Sequence, residues 1–110
     1  MWLEASERGR LLDVGTGSGD FVAQMQELGW QAAGLDPDPV VVRAASSSLG
    51  RDIALGTLEE AAFAEGSFDT VTMSHVIEHL PDPIRTLVEC RRVLKEGGRL
   101  VLLTPNIDSL

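Results

Sequence analysis

The sequence predicts an α/β fold, a three-layer sandwich in which helices cover both faces of a parallel sheet. Short apolar runs alternate with amphipathic segments five times along the 110 residues, the pattern of parallel strands joined by crossover helices. Right-handed crossovers and a reversal of direction after the third strand give the strand order 3-2-1-4-5. A glycine-rich turn follows the first strand. Ligands of such sheets bind beyond the carboxyl ends of the strands, at the switch point where this turn lies.

The first part of the chain carries three predicted strands. The predicted elements are a strand at Leu11–Val14, a helix at Asp20–Leu28, a strand at Gln31–Leu35, a helix from about Val40, a strand at Asp52–Leu55 and a short helix at Leu58–Ala62. The apolar residues of the first helix recur at i, i+1, i+4 and i+7, so they share one face. Asp38 before Pro39 is an N-cap signal, and the run Thr57-Leu-Glu-Glu60 matches a capping box.

The remaining chain predicts a strand at Phe68–Ser74, a loop at His75–Leu80, a helix that begins after Asp82, and a strand at Arg99–Leu103. The apolar spacing of that helix predicts an inner stripe of Ile84, Leu87, Val88, Arg91 and Leu94. The glycines Gly97 and Gly98 are expected to end the helix. The single cysteine, Cys90, lies within it and is expected to pack as a small buried hydrophobe.

Composition and charge disfavour two kinds of partner, nucleic acids and membranes. The formal net charge of −8 disfavours a nucleic acid, which binds through phosphates. The one basic cluster, from Arg91 to Arg99, surrounds a helix end and complements the helix dipole. Membrane association is not expected, because no apolar run approaches the roughly 20 residues that a spanning helix needs, and no signal peptide is visible. One cysteine fits a reducing compartment, so the sequence predicts a cytoplasmic protein.

The glycine turn places Gly15, Gly17 and Gly19 between a buried strand and a helix start. Such a turn brings main-chain N–H groups up to a ligand. Asp36 follows the second strand, where an acidic residue can accept hydrogen bonds from ribose hydroxyls. A dinucleotide site would have glycine at position 20, but Asp20 stands there and would face a pyrophosphate. A cationic nucleoside without phosphates fits better.

Five ordered motifs carry a family resemblance across Leu11–Asn106. They are Asp13-Val-Gly-Thr-Gly-Ser-Gly19, Asp36, Phe68-Asp-Thr-Val71, His75-Val-Ile-Glu-His-Leu-Pro-Asp-Pro83 and Leu94-Lys-Glu-Gly-Gly-Arg-Leu100. The chain thus resembles class I S-adenosylmethionine-dependent methyltransferases, and is most similar to the small-molecule, type 11-like subgroup that includes quinone-pathway enzymes. The resemblance implies a Rossmann-like fold, S-adenosylmethionine as cofactor, and methyl transfer to a small-molecule acceptor.

The resemblance also implies cofactor-binding positions. Asp13, through its carboxylate and the ammonium group, and the backbone at Gly15 and Gly17 would hold the methionine portion, which Ser74 would face through its carbonyl. Asp36 would bind the ribose hydroxyls, and Thr57 and Leu58 the adenine. Thr16 and Pro37 are also expected to contact the cofactor. Thr57 departs from the aspartate that the family usually has there, and a role as a helix N-cap explains it equally well.

A second group consists of His75, Glu78 and His79, which lie at i, i+3 and i+4 and share a face if they form a helical turn. Hydrogen bonding of the loop above the sheet is the favoured interpretation. The second is a general base, with His79 and His75 as candidates, because histidine titrates near neutrality. A divalent metal site is the third, and no metal is expected.

The family sheet usually continues through a helix and two further strands, and a helical segment usually precedes the first strand. We therefore expect residues 1–110 to form a single cofactor-binding core, truncated relative to the family. An NAD(P)-binding oxidoreductase domain and a non-catalytic binding module are the alternatives. The apolar run Leu100–Leu103 would form an open sheet edge, which predicts a possible homodimer through the fifth strand.

Overall fold

The computed structural model describes residues 9–49, 52–74 and 80–103, and these form one five-stranded parallel sheet with helices on both faces. The elements in chain order are β1 (Arg10–Val14), α1 (Asp20–Glu27), β2 (Gln31–Asp36), α2 (Pro39–Leu49), β3 (Ile53–Leu55), α3 (Leu58–Ala61), β4 (Phe68–Ser74), α4 (Pro83–Val93) and β5 (Leu94–Leu103). The strand order β3-β2-β1-β4-β5 confirms the predicted fold. Boundaries before α4 agree with the predicted ones to within one residue.

Alternate residues of the central strand β1 supply two separate cores. Leu12 and Val14 belong to the larger cluster, on the face covered by α3 and α4. Leu11 belongs to the smaller cluster, on the face covered by α1. The larger cluster also contains Leu35, Leu58, Phe68, Val71, Met73, Cys90 and Val93, and the smaller one Val22, Met25, Trp30 and Ala32. Burial on both faces explains why β1 is apolar without alternation.

After β1 the chain passes next to the carboxyl end of β2. The backbone N–H groups of Gly15 and Thr16 both donate to the carbonyl oxygen of Leu35, at 2.8 and 2.9 Å. Val14 pairs with Met73 of β4 on the other side. The glycine turn is therefore fixed at the carboxyl ends of three adjacent strands, the position that the topology predicted for a ligand.

The inner face of α4 differs from the prediction. Its buried residues are Thr86, Cys90 and Val93, whereas Ile84 and Val88 are 69% and 65% exposed. Leu87 and Leu94 pack against the core as expected, Arg91 is exposed, and the burial of Cys90 confirms its predicted packing. The exposed residues Ile84 and Val88 and the buried residues Thr86 and Cys90 have the same helical spacing, so spacing alone does not tell which pair faces the sheet. The more apolar pair was predicted to face inward, and that prediction is wrong.

The glycine pair after α4 does not end the helix. Leu94 is already extended, with φ −78° and ψ 141°, and it pairs with Phe68 of β4. The next pair is Thr70 with Arg99, so the segment at residues 95–98 bulges out of the ladder. A Cβ on Gly98 would lie 2.8 Å from the Lys95 carbonyl oxygen. The two glycines permit the bulge, and β5 begins five residues earlier than predicted.

No helix in the described parts of the chain is both long and apolar enough to cross a membrane.

Candidate cofactor-binding site

The glycine turn is held in a conformation that only glycine adopts readily. Gly15, Gly17 and Gly19 have φ values of 73°, 61° and 81°, in the left-handed region. A Cβ placed on Gly17 would meet no atom of the described residues within 4 Å, so these residues leave the face of the turn open. Gly19 precedes α1 and supplies no side-chain cap to it. The turn thus leaves an open space beside it, while its N–H groups at Gly15, Thr16 and Gly17 donate to Leu35 and Asp36 and hold the turn in place.

Asp36 joins the glycine turn to the loop after β2. Its Oδ2 accepts a hydrogen bond from the Gly17 N–H at 3.0 Å, and its Oδ1 accepts one from the Asp38 N–H at 3.0 Å. Each carboxylate oxygen keeps a further lone pair, which suits two neighbouring hydroxyl groups. Asp38 has a different task, because its Oδ1 accepts from the Val40 N–H at 2.9 Å and caps α2, as predicted.

A cavity of about 100 Å³ lies beside the turn. Its lining residues are Val14, Gly15, Pro37, Gly56, Thr57, Leu58, Glu59, Leu80, Pro81 and Thr86. Four of them, Gly15, Pro37, Thr57 and Leu58, were predicted from sequence, and the structure brings them together. The proline and leucine side chains make the cavity largely apolar, as a flat aromatic base would require.

The adenine-side residues have well-defined local roles. Thr57 Oγ1 accepts a hydrogen bond from the Glu60 N–H at 3.2 Å, and the Thr57 N–H donates to Glu60 Oε1 at 3.0 Å. This capping box fixes the start of α3, which is the alternative role for Thr57. The Thr57 hydroxyl retains one donor and one lone pair. Leu58 occupies the first helical position, where the N–H has no partner inside the helix.

Asp13 lies below the turn and is only 1% exposed. Residues paired across parallel strands point to the same face, and Asp13 pairs with Gly34 of β2 and Thr72 of β4. The Thr72 hydroxyl donates to Asp13 Oδ1 at 2.7 Å. Burial raises the pKa of the Asp13 carboxyl, and the hydroxyls of Thr72 and Thr16 oppose that rise. Asp13 is therefore a buried carboxylate, bonded to Thr72, on the strand that leads into the glycine turn.

Thr16 lies over the buried row that Gly34, Asp13 and Thr72 form across three strands. A Cβ on Gly34 would lie 2.7 Å from Thr16 Cγ2 and 2.9 Å from Thr16 Cβ, so Thr16 occupies the space that Gly34 leaves. The Thr16 hydroxyl is close enough to lower the pKa of Asp13. Its buried Oγ1 makes no hydrogen bond of normal geometry with the residues the structure describes. A buried oxygen of this kind beside a cradle fits a site that a polar ligand completes.

Sequence reasoning missed Gly34 and Thr72. A glycine inside a strand was the available signal for Gly34, since it often marks a close approach by another part of the chain. Thr72 gave no signal, because threonine is common in strands. Sequence reasoning also missed Leu80 and Pro81, which complete the cavity.

Two groups of predicted residues have limited structural description. Ser74 is the last residue of β4, directly after Met73, so its backbone lies next to the turn. His75, Glu78 and His79 lie outside the described residues. Within the residues that are described, no three His, Cys, Asp or Glu side chains gather in a way that could hold a metal.

The chain is similar to known proteins in family, in sequence and in structure. Residues 12–102 match the family described as "Methyltransferase domain". The ubiquinone biosynthesis O-methyltransferase of Xanthomonas oryzae pv. oryzae is 41% identical over 103 residues, a match that covers 88% of this chain and 43% of that protein. The chain thus spans less than half the length of the curated relatives it matches.

Solved structures with a similar fold point to the same family. A protein from Pyrococcus horikoshii superposes with a TM-score of 0.80 at 26% identity, over 94% of this chain and 52% of that one. A protein from Thermotoga maritima, described as an S-adenosylmethionine-dependent methyltransferase and possible histamine N-methyltransferase, gives a TM-score of 0.72 at 30% identity, over 84% and 42%. Since the family match spans most of the chain and the same fold carries the site, the chain belongs to the methyltransferase domain family.

Proposed function

We propose that this chain is the S-adenosylmethionine-binding core of a methyltransferase that acts on a small-molecule acceptor. The observation that carries the proposal is the junction between the open glycine turn and Asp36, whose carboxylate accepts from the Gly17 N–H at 3.0 Å. This junction lies beside a largely apolar cavity. Together they offer carboxylate oxygens that can accept from two hydroxyl groups and an apolar slot for a base, as a nucleoside requires.

The parts of the cofactor would be held as follows. Asp36 accepts hydrogen bonds from the ribose hydroxyls, with Pro37 beside it. The cavity lined by Thr57 and Leu58 would hold the adenine, with the Leu58 N–H as a donor and the Thr57 hydroxyl as donor or acceptor. Gly15, Thr16 and Gly17 would hold the methionine portion. A formal net charge of −8 favours a positively charged cofactor over a phosphate-bearing one.

The chemistry of the bound cofactor is donation of a methyl group from its sulfonium to a nucleophilic atom. The protein contributes positioning and exclusion of water, which such a displacement mainly requires. A base is needed only if the nucleophile carries a proton, and His79 and His75 stay sequence-based predictions for that role. The O-methyltransferase relatives support a small-molecule acceptor. The single cysteine, buried and free, supports a reducing, cytoplasmic location.

Isothermal titration calorimetry tests the cofactor assignment. S-adenosylhomocysteine and NAD are each titrated into the 110-residue chain, with and without EDTA. We expect binding of S-adenosylhomocysteine alone, unchanged by EDTA. Binding of NAD in its place would overturn the proposal in favour of an oxidoreductase domain, and binding of neither would favour a non-catalytic module.

A further inference from the structure

The buried row beneath the glycine turn contains a polar contact that packing alone does not require. Gly34, Asp13 and Thr72 stand side by side on β2, β1 and β4, on one face of the sheet. The Thr72 side chain is fully buried, and Asp13 is 1% exposed. A carboxylate in such a position is costly unless donors surround it, and Thr72 Oγ1 lies 2.7 Å from its Oδ1.

Thr72 cannot itself touch a ligand, because no part of it reaches the surface. Its effect on a ligand must pass through Asp13. Donation to Oδ1 fixes the rotation of the carboxylate and favours its ionised form, since a hydrogen bond to the charged state stabilises that state. When it is ionised, a carboxylate held in one orientation below the turn would attract a cation that lies above the turn.

We infer that Thr72 is a positioning residue for the cofactor, acting through Asp13 on the positively charged amino group of the methionine portion. This inference rests on the proposed function. Thr72, a fully buried strand residue, would then help to hold the methionine end of the ligand. The adenosine end depends on Asp36 and the cavity.

The two ends of the ligand can be separated chemically. S-adenosylhomocysteine carries the amino group, whereas 5′-methylthioadenosine has the same adenosine and a thioether but no amino acid portion. Loss of the Thr72 hydroxyl should weaken the first ligand and spare the second. A role in general packing would weaken both ligands equally.

Thr72→Val removes the hydroxyl at nearly constant volume, and Thr72→Ser keeps it. Thr70→Val is the matched control, since Thr70 is also buried on the same face of β4 but stands opposite Leu11. Calorimetry with both ligands is run on each folded variant. We expect Thr72→Val to bind S-adenosylhomocysteine roughly tenfold more weakly and 5′-methylthioadenosine unchanged, with Thr72→Ser and Thr70→Val like wild type.

Equal weakening of both ligands by Thr72→Val, or no weakening of either, would overturn the inference while leaving the proposed function intact. A wild-type chain that binds neither ligand would overturn the proposed function and the inference with it. If Thr72→Val does not fold, Thr72→Cys carries the same comparison, because a thiol is a weaker donor at the same place. An unchanged affinity of Thr72→Cys for S-adenosylhomocysteine would then count against the inference.

Discussion

Gly34→Ala tests whether the glycine turn depends on the space that Gly34 leaves free. The added Cβ would lie 2.7 Å from Thr16 Cγ2, 2.9 Å from Thr16 Cβ and 3.1 Å from Thr16 Oγ1. Ordinary contact begins at 3.4 Å, so Thr16 would have to retreat by about 0.7 Å at its nearest atom. Because the Thr16 N–H is bonded to the Leu35 carbonyl at 2.9 Å, this retreat strains the bond that anchors the turn.

The expected cost is that of overpacking, about 1–3 kcal/mol in the free energy of unfolding. Displacement of the turn should also weaken S-adenosylhomocysteine binding by roughly tenfold. Urea unfolding and calorimetry measure the two effects. Thr16→Ala removes Cγ2 and Oγ1, so the double variant should regain part of both losses, with a coupling of at least about 0.5 kcal/mol. Stability and affinity equal to wild type in Gly34→Ala would refute this reasoning, as would an undiminished loss in the Thr16→Ala background.

Three further predictions concern other parts of the molecule. Asp36→Ala should weaken S-adenosylhomocysteine binding by about 1–3 kcal/mol, because charge-assisted hydrogen bonds are lost. The control is Asp38→Ala, which removes an N-cap. It should lower the free energy of unfolding by about 1 kcal/mol and leave the affinity measured by calorimetry unchanged. Burial raises the pKa of Asp13 above 3.8, so the carboxyl adds to the free energy of unfolding at low pH, and this contribution is lost as pH rises from about 3.8 through the raised pKa. Urea titrations should therefore show that wild type loses stability relative to Asp13→Asn over that pH range. A difference between the two proteins that does not change with pH would contradict this prediction. The outer edge of β5 has no partner strand among the described residues, so sedimentation equilibrium at micromolar concentration should show a dimer that Val101→Lys disrupts; a wild-type monomer would contradict the prediction.

The sequence by itself determined the fold and the position of the site. Strands and helices alternate in blocks whose ends carry strong local signals, such as the Thr57 capping box and the Asp38-Pro39 start of α2. Such signals act over a few residues, so they are readable from sequence. Once the alternation is known, the handedness of crossovers leaves few topologies, and the glycine turn marks the ligand end of the sheet.

The packing row of α4 was decided only by tertiary structure. Ile84, Val88 and Arg91 have the same helical spacing as Thr86, Cys90 and Val93, and nothing local distinguishes a row that faces the sheet from one that faces outward. The second row is buried because its side chains join the core and Thr86 lies within 3.3 Å of a Glu59 carboxylate oxygen. Such contacts depend on residues distant in the chain.

The buried layer below the turn also needed the three-dimensional structure. Asp13 was predicted from its motif, but its neighbours Gly34 and Thr72 are 21 and 59 residues away and become adjacent only through the register of β2, β1 and β4. Register is set by the burial of whole strands, since a shift of one residue would turn every side chain to the opposite face. The sequence therefore specified the backbone turn of the candidate site, and the assembled sheet decided which buried side chains lie beneath that turn.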